Sequence, residues 1–378
     1  MSKVKILFLV NVDWFFVSHR LPIALAAAKK GYEVHVATTV TNKTEIIKKS
    51  GFILHEVGIS RGTTGLFSTF KTLISIIKIF KKVNPTIVHL VTIKPILLGG
   101  IAARLTGIQG VLAAISGLGY VFIEQGFFAS CRRFFIRALY RFSLNHQNLK
   151  IICQNLNDLE EIQQTSKLPN SSFSLIDGSG VSLRKFQFHT DHNKIPKIMM
   201  ASRMLKDKGV LEFIEAATEL KNINIKADFI LVGDPDADNP SSITMSQITA
   251  WQQKGIIEHW GHQDEMENIL SQASVVVLPS YREGFPKVLI EAAACGRAVV
   301  TTDVPGCRDA IKNGISGVLV PAKNSSALAE AIKRLIMNPE VCREMGIEGR
   351  KMAEERFDEQ KVIDQHLSLY DQIAFNAK

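Results

Sequence analysis

Two carboxylates bracket a short loop and helix start in Glu283-Gly284-Phe285-Pro286-Lys287-Val288-Leu289-Ile290-Glu291, directly after the apolar run Val275-Val276-Val277-Leu278-Pro279-Ser280. The order reads as a buried strand, a tight loop and a helix. Pro286 suits a first helical position, where a missing N–H costs nothing. The amides of Lys287 and Val288 then point out of the helix N-terminus and form an anion site. Glu283 stands before that site and Glu291 further along the helix. An anion flanked by two polyols answers all three features, and a nucleotide-diphosphate sugar is such a ligand.

Cations lie in a second segment, Ala201-Ser202-Arg203-Met204-Leu205-Lys206-Asp207-Lys208-Gly209. Arg203 offers a bidentate fork and Lys208 a point charge, a combination suited to a diphosphate at a strand's C-terminal end. Asp234, Asp236 and Asp238 form an Asp-x-Asp-x-Asp run that reads either as a divalent-metal site or as a Pro- and Asn-rich loop. The loop is preferred, because Arg203, Lys208 and the helix terminus already supply positive charge, so no metal is expected. In Glu258-His259-Trp260-Gly261-His262 the chain leaves a strand through Gly261. His262 reads equally as a ligand contact or an exposed loop residue.

The elements that must position these groups come in two series. In the first, Val4–Val10, Glu33–Thr39, Thr86–Thr92, Gly110–Ile115 and Lys150–Gln154 read as strands. Leu21–Lys30, Gly65–Val83, Pro95–Leu105 and Asp158–Thr165 read as helices. The pattern restarts with strands at Lys197–Ala201, Ala227–Val232, Ile256–His259, Val275–Leu278, Ala298–Thr302 and Gly317–Val320, and helices such as Leu211–Lys221 and Ala327–Asn338. Strand–helix alternation predicts parallel sheets covered on both faces. The polar stretch Phe186–Pro196 reads as a linker. The expectation is an α/β protein of two doubly wound Rossmann-like domains, residues 1–190 and 191–378. Ligand is expected in a cleft where their strand C-termini face each other, and the last helix is expected to pack back on the first domain.

The 378 residues are too many for one typical core, and 46% hydrophobic with 21% charged is an ordinary globular composition. Five scattered cysteines without a Cys-x-x-Cys pair argue against a disulfide framework or zinc site and for a reducing compartment. Val4–Val10 is too short for a signal-peptide core, and no apolar run reaches the roughly 18 residues of a spanning helix. The net charge of +9 is uneven. Residues 1–190 hold 23 Lys+Arg against 9 Asp+Glu, a balance of +14, whereas residues 191–378 hold 22 against 27, a balance of −5. The first half therefore invites an anionic partner.

Glu-x7-Glu after a strand ending near Pro-Ser, with Gly-Phe-Pro inside and Ala292-Ala293-Ala294-Cys295-Gly296-Arg297 following, resembles the donor site of the retaining glycosyltransferases of family 4. Arg203-x4-Lys208-Gly209 is similar to the same family's donor motif. The resemblance spans the chain, strongest from Arg203 to Pro321. It implies the two-domain GT-B fold, a UDP-sugar co-substrate and front-face transfer without a protein nucleophile, metal or other cofactor. Arg203 and Lys208 would neutralise the leaving diphosphate, Glu283 would hold the donor sugar and Glu291 the ribose. The nucleotide base would lie near Gly261 and His262. Thr92-Ile93-Lys94-Pro95, Gly117-Leu118-Gly119-Tyr120, Gly233–Pro240 and Val304-Pro305-Gly306-Cys307-Arg308 look like the subgroup that builds glycans on undecaprenyl diphosphate. One member type there adds N-acetylgalactosamine to a lipid-linked sugar, which implies an N-acetylhexosamine donor and a polyprenyl-diphosphate-linked acceptor.

The first half departs from the family in two places. No glycine stands between Met1 and Lys30, so the usual glycine-rich contact to the diphosphate is missing; Ser18 and His19 occupy that stretch. Ser116-Gly117-Leu118-Gly119 follows the strand Gly110–Ile115 where many members carry a histidine, leaving Ser116 and the amides of Gly117 and Gly119 as the groups on offer. Lys94 is a further cleft candidate, and His89, inside an apolar strand, reads as a core histidine. Residues 66–83 and 127–141 combine apolar or aromatic residues with Lys71, Lys78, Lys81, Lys82, Arg132, Arg133, Arg137 and Arg141. Such helices suit an anionic membrane surface, or a core helix whose cations snorkel. The expected setting is a bacterial enzyme, cytoplasmic and peripheral on the inner membrane face, with no nucleic-acid partner. The alternatives are a soluble enzyme of the same fold such as a sugar-nucleotide epimerase, and a non-catalytic nucleotide-sugar binder.

Overall fold

The computed structural model of the chain describes residues 3–59, 65–118, 136–189, 194–237 and 239–377. They form two compact units. The first runs to Ser179 and resumes at Gln360, and the second is continuous from Gly180 to Glu359. The chain thus passes from one unit to the other at Ser179/Gly180, not at residue 190. Val181 and Phe186 are both buried in the second unit's core, and the Val181 amide donates to Phe357 O at 2.8 Å. The polar residues after Phe186 mark exposure and not a change of unit.

The first unit carries seven strands: β1 Lys5–Val12, β2 Glu33–Thr39, β3 Ile53–Glu56, β4 Ile87–Val91, β5 Gly110–Ile115, β6 Asn148–Cys153 and β7 Phe173–Leu175. Their order is β3-β2-β1-β4-β5-β6-β7, all parallel. The second unit carries β8 Lys197–Ala201, β9 Asp228–Val232, β10 Glu258–His259, β11 Val275–Leu278, β12 Ala298–Thr302 and β13 Gly317–Val320. Their order is β10-β9-β8-β11-β12-β13, again all parallel. Every residue of β4, β5, β11 and β12 is buried, as expected for strands with helices on both faces. Each sheet reverses direction once, between β1 and β4 in the first unit and between β8 and β11 in the second. The crevice outside such a reversal, at the strands' carboxyl ends, is where open α/β sheets take ligands.

Some local readings differ from the structure. Residues after β1 form a helix, Asp13–His19, a stretch to which no element was assigned from the sequence. Asp13 makes it possible: its buried carboxylate accepts from the amides of Trp14 (2.8 Å), Thr41 (2.8 Å) and Lys43 (3.1 Å). The helix expected from Pro95 begins at Ile93 and ends at Thr106, because proline in a first turn gives up an amide that had no partner there. The last helix, Glu359–Asn376, lays Val362, Leu369, Tyr370 and Ile373 against β1 and β4 residues such as Phe8 and Ile87. Among the described residues no helix is long and apolar enough to cross a membrane.

Candidate functional site

In the second unit the chain leaves β8, passes Arg203, turns through the single 3-10 turn Lys206–Lys208 and enters the helix Val210–Asn222. Gly209 links turn to helix at φ +81, and a Cβ there would run into Pro279 O, so only glycine lets the turn lie against the end of β11. The Tyr281 amide donates to Asp207 O at 2.9 Å and Ser280 Oγ to the same oxygen at 3.2 Å. This seam spans the reversal between β8 and β11. Across it Lys208 Nζ meets Glu283 Oε1 at 2.5 Å, with side-chain exposures of 19% and 12%. Gly306 supports Glu283 and Gly284 from behind, since a Cβ there would collide with both their carbonyls.

Arg203 is half exposed and its Nη1 donates to Asp236 Oδ2 at 2.8 Å. Asp236 therefore serves as counter-charge to Arg203, a role its Asp-x-Asp setting did not announce. Asp238 lies outside the described residues. Among the described residues no three His, Cys, Asp or Glu side chains are grouped to hold an ion.

The helix Lys287–Ala294 starts one residue later than expected. Pro286, at φ −74 and ψ 115, is its N-cap, and Lys287 and Val288 are its first two residues. Amides in those positions have no acceptor within the helix, so the anion site keeps its donors. Phe285 points away from the crevice into the core, ring edge to the face of Phe357 at 5.5 Å, so this residue offers a ligand its backbone only. Gly284 and Pro286 are buried beside it. Glu291 lies one turn into the helix, 6% exposed, with Lys287 Nζ at 3.3 Å from its Oε1. Burial pushes the Glu291 carboxyl up, against the pull of Lys287. Gly261, at φ +66, accepts the Gly233 amide at 2.7 Å and ties the β10 turn to the Asp236 loop. His262 projects outward, 3.6 Å from Asp264, while His259 is the histidine held in place, its Nε2 2.8 Å from Gly233 O.

In the first unit Lys94 follows β4, and Ser116 and Gly117 follow β5, at the carboxyl edge of the sheet. Lys94 opens the helix Ile93–Thr106, and burial lowers its pKa. Gly117 turns the chain at φ +105 after β5, and Gly119 lies outside the described residues. Ser18 and His19 close the helix that follows β1. Their Oγ and Nδ1 lie 2.6 Å apart, and the imidazole stacks on Phe15 at 4.1 Å. Asp13 is a structural clamp: burial raises its pKa, but hydrogen bonds from Thr41, Lys43 and Trp14 prevail and hold it down. His89 is a core residue, its Nδ1 2.7 Å from Tyr370 Oη and its ring against Phe8.

The helix Leu66–Val83 buries Ile76, Phe80 and Val83 and turns outward the stripe Phe67, Phe70, Lys71, Ile74, Lys78, Lys81 and Lys82. Phe67 is 83% exposed and Phe70 60%, at the end of the helix nearest the strands' carboxyl edge. Most of 127–141 lies outside the described residues. Of its cations, Arg137 pairs with Glu161 at 2.7 Å and Arg141 donates to Thr165 O at 2.6 Å, so both are turned towards their own unit.

Residues 5–155 match the family model "Glycosyl transferase 4-like", and residues 183–352 match "Glycosyl transferases group 1". The chain is 30% identical to the N,N′-diacetylbacillosaminyl-diphospho-undecaprenol alpha-1,3-N-acetylgalactosaminyltransferase of Campylobacter jejuni, over 99% of this chain and 100% of that one. It is 26% identical to the UDP-Gal:alpha-D-GlcNAc-diphosphoundecaprenol alpha-1,3-galactosyltransferase of Escherichia coli, over 82% and 81% respectively. Among solved structures, a sucrose-phosphate synthase from Thermosynechococcus elongatus superposes with a TM-score of 0.78 at 21% identity, each chain covered in full.

Proposed function

The chain belongs to the family-4 glycosyltransferases of GT-B fold, and on that premise we propose that it moves a sugar from a UDP-sugar to a polyprenyl-diphosphate-linked acceptor in glycan assembly. The observation that carries the donor half is the Lys208–Glu283 pair at the β8/β11 reversal, beside the N-terminus of the helix Lys287–Ala294. A donor diphosphate there draws Lys208, Arg203 and the opening amides of that helix onto its growing negative charge. Such preorganised electrostatics is commonly the largest catalytic contribution. Freed from Lys208, Glu283 accepts hydroxyls of the transferred sugar, and Glu291 accepts those of the ribose. No metal enters, and transfer keeps the anomeric configuration. The nucleotide base rests against the Gly261 turn. Both relatives named above act on diphospho-undecaprenol-linked sugars, and one takes UDP-galactose, which supports a lipid-linked acceptor and a UDP-sugar here. An N-acetylhexosamine is the favoured donor sugar.

The outward stripe of the helix Leu66–Val83 supports a seat for the first unit on an anionic membrane surface, the inner face of the cytoplasmic membrane. Aromatic side chains enter the interface and lysines meet the headgroups. Turnover of a panel of UDP-sugars with a short polyprenyl-diphosphate sugar tests the transfer, read as UDP release together with a lengthened glycan. Lys208→Ala is expected to lower kcat/KM on the best pair by about a hundredfold. Full activity in that variant, or an epimerised UDP-sugar without glycan product, would overturn the assignment.

A further inference from the structure

The first unit holds a second set of polar groups at its own sheet reversal, among residues the motifs did not mark. The β1–β4 ladder ends at the pair Val10 and Val91, so Asn11 and Thr92 are the next residues on adjoining strands. Asn11 falls where the register of β1 against β2 slips between Val10 and Val12, a bulge that leaves it without a ladder partner. Bulges gather beside active sites because they re-aim a side chain. Thr92 stands at φ 74 and ψ 166, a region that is almost exclusively glycine's and especially strained for a β-branched residue. Its backbone is held there by its amide donating to Ala114 O (3.3 Å) and by the Ile96 amide donating to its carbonyl (3.0 Å).

Both side chains end in a polar atom shut off from solvent with no hydrogen-bond partner: Asn11 Oδ1 and Thr92 Oγ1. Native proteins rarely leave such atoms unsatisfied, and these two residues follow the last β1–β4 pair at the sheet reversal, the end at which a doubly wound sheet takes its ligand. The chemistry of the pair selects what fits. An amide oxygen only accepts, and a threonine hydroxyl has one proton to give and lone pairs to receive. A phosphate oxygen also only accepts, so Asn11 Oδ1 would repel it. A ligand hydroxyl donates to Asn11 Oδ1 and exchanges a second bond with Thr92 Oγ1.

We infer that Asn11 and Thr92 form a subsite for a hydroxyl group of the acceptor sugar. This rests on the transfer reaction proposed above and names the residues that position its acceptor. Thr92 holds a strained backbone and Asn11 sits at a bulge, on adjoining chain segments just past the end of the β1–β4 ladder.

The test is a titration of the polyprenyl-diphosphate sugar at saturating UDP-sugar, with UDP affinity measured on each protein. Thr92→Val, isosteric but without the hydroxyl, and Asn11→Ala are each expected to raise the acceptor KM roughly tenfold, the usual loss for one buried hydrogen bond. UDP affinity should stay at the wild-type value, and Thr92→Ser should bring the acceptor KM back. An unaltered acceptor KM in both variants, as when a buried water alone satisfies the two atoms, would overturn the inference. An equal loss of UDP affinity, the mark of a general fold defect, would do the same. Absence of turnover in the wild-type protein would remove the parent reaction and this subsite together, whereas normal wild-type turnover with unaltered variants removes the subsite alone.

Discussion

Lys208, Arg203 and Lys287 each hold a carboxylate of their own unit: Glu283, Asp236 and Glu291. Under the proposed function, a donor diphosphate exchanges partners with charges already neutralised, and the carboxylates released are those available to polyol hydroxyls. Glu291 is the most buried of the three carboxylates, beside a partly exposed lysine. Burial, the leading cause, lifts its pKa in the fold above the usual 4.5. A raised carboxyl favours the folded state below its usual pKa and loses that contribution as pH rises through the folded value. Glu291→Gln is thus expected to unfold at a higher temperature than the wild-type protein at pH 7.5 without nucleotide, with the gap closing towards pH 4.5. Its UDP affinity should fall about tenfold, since a charged acceptor is lost. Differential scanning fluorimetry and calorimetric UDP titration check both halves, and a lower melting temperature at pH 7.5 would contradict the account. At this scale the cations were legible only through the likeness of Arg203-x4-Lys208-Gly209 to a family motif, because two cations after a strand are by themselves ordinarily solvated surface charges. Asp236 was not, because its role depends on two loops meeting. Asn11 and Thr92 were hidden more deeply. Only strand register and backbone torsion show that their polar ends have no partner.

Elements were legible where one periodicity prevailed. β2, β5, β8, β11, β12 and β13 begin and end where their apolar runs do, since burial on both faces leaves a continuous run with sharp edges. The helix Asp13–His19 escaped because its start is fixed by Thr41 and Lys43, some thirty places along the chain. β3 and β7 escaped because exposed edge strands of four and three residues leave little pattern. The helix Leu66–Val83 shows what the three-dimensional element adds to composition. Its lysines, with Phe67 and Phe70, mixed along the sequence, sort onto one outward stripe while Ile76 and Phe80 turn inward. The wild-type protein is expected to float with vesicles containing anionic lipid and far less with neutral ones, an attraction weakened by salt. Phe67→Ser with Phe70→Ser should cut the bound fraction severalfold without changing UDP affinity. No flotation of the wild-type protein on anionic vesicles would dismiss the membrane seat.

Across the whole molecule the last helix decides whether the first unit is complete. It brings His366 and Tyr370 over the middle of the sheet, next to His89, Phe8 and the buried Arg20. Burial, and then the guanidinium of Arg20, push His366 down to about 3 and His89 well below its usual 6.5. Both histidines are therefore neutral in the fold. As pH falls below 6.5 the unfolded chain takes up protons that the folded chain refuses, so stability drains away between about 6.5 and about 3. Each such histidine contributes a slope of up to about 1.4 kcal/mol per pH unit. Denaturant midpoints measured from pH 7 to pH 5 should decline, and His366→Gln should flatten the decline by one proton's worth. An unchanged slope in that variant would refute the assignment.

The same helix gives the chain an inverted building order. The second unit is one unbroken stretch, Gly180 to Glu359, whereas the first is split around it. Entry and exit lie together, with Val181 N donating to Phe357 O and Glu359 N to Val181 O. On the ribosome β1 and β4 emerge early, yet the part of the sheet that Tyr370 and Ile373 cover waits until those residues are made, after the whole of the second unit. Domains ordinarily finish in the order they are synthesised. Here the domain begun first is the one finished last, and part of its sheet waits through the birth of the other.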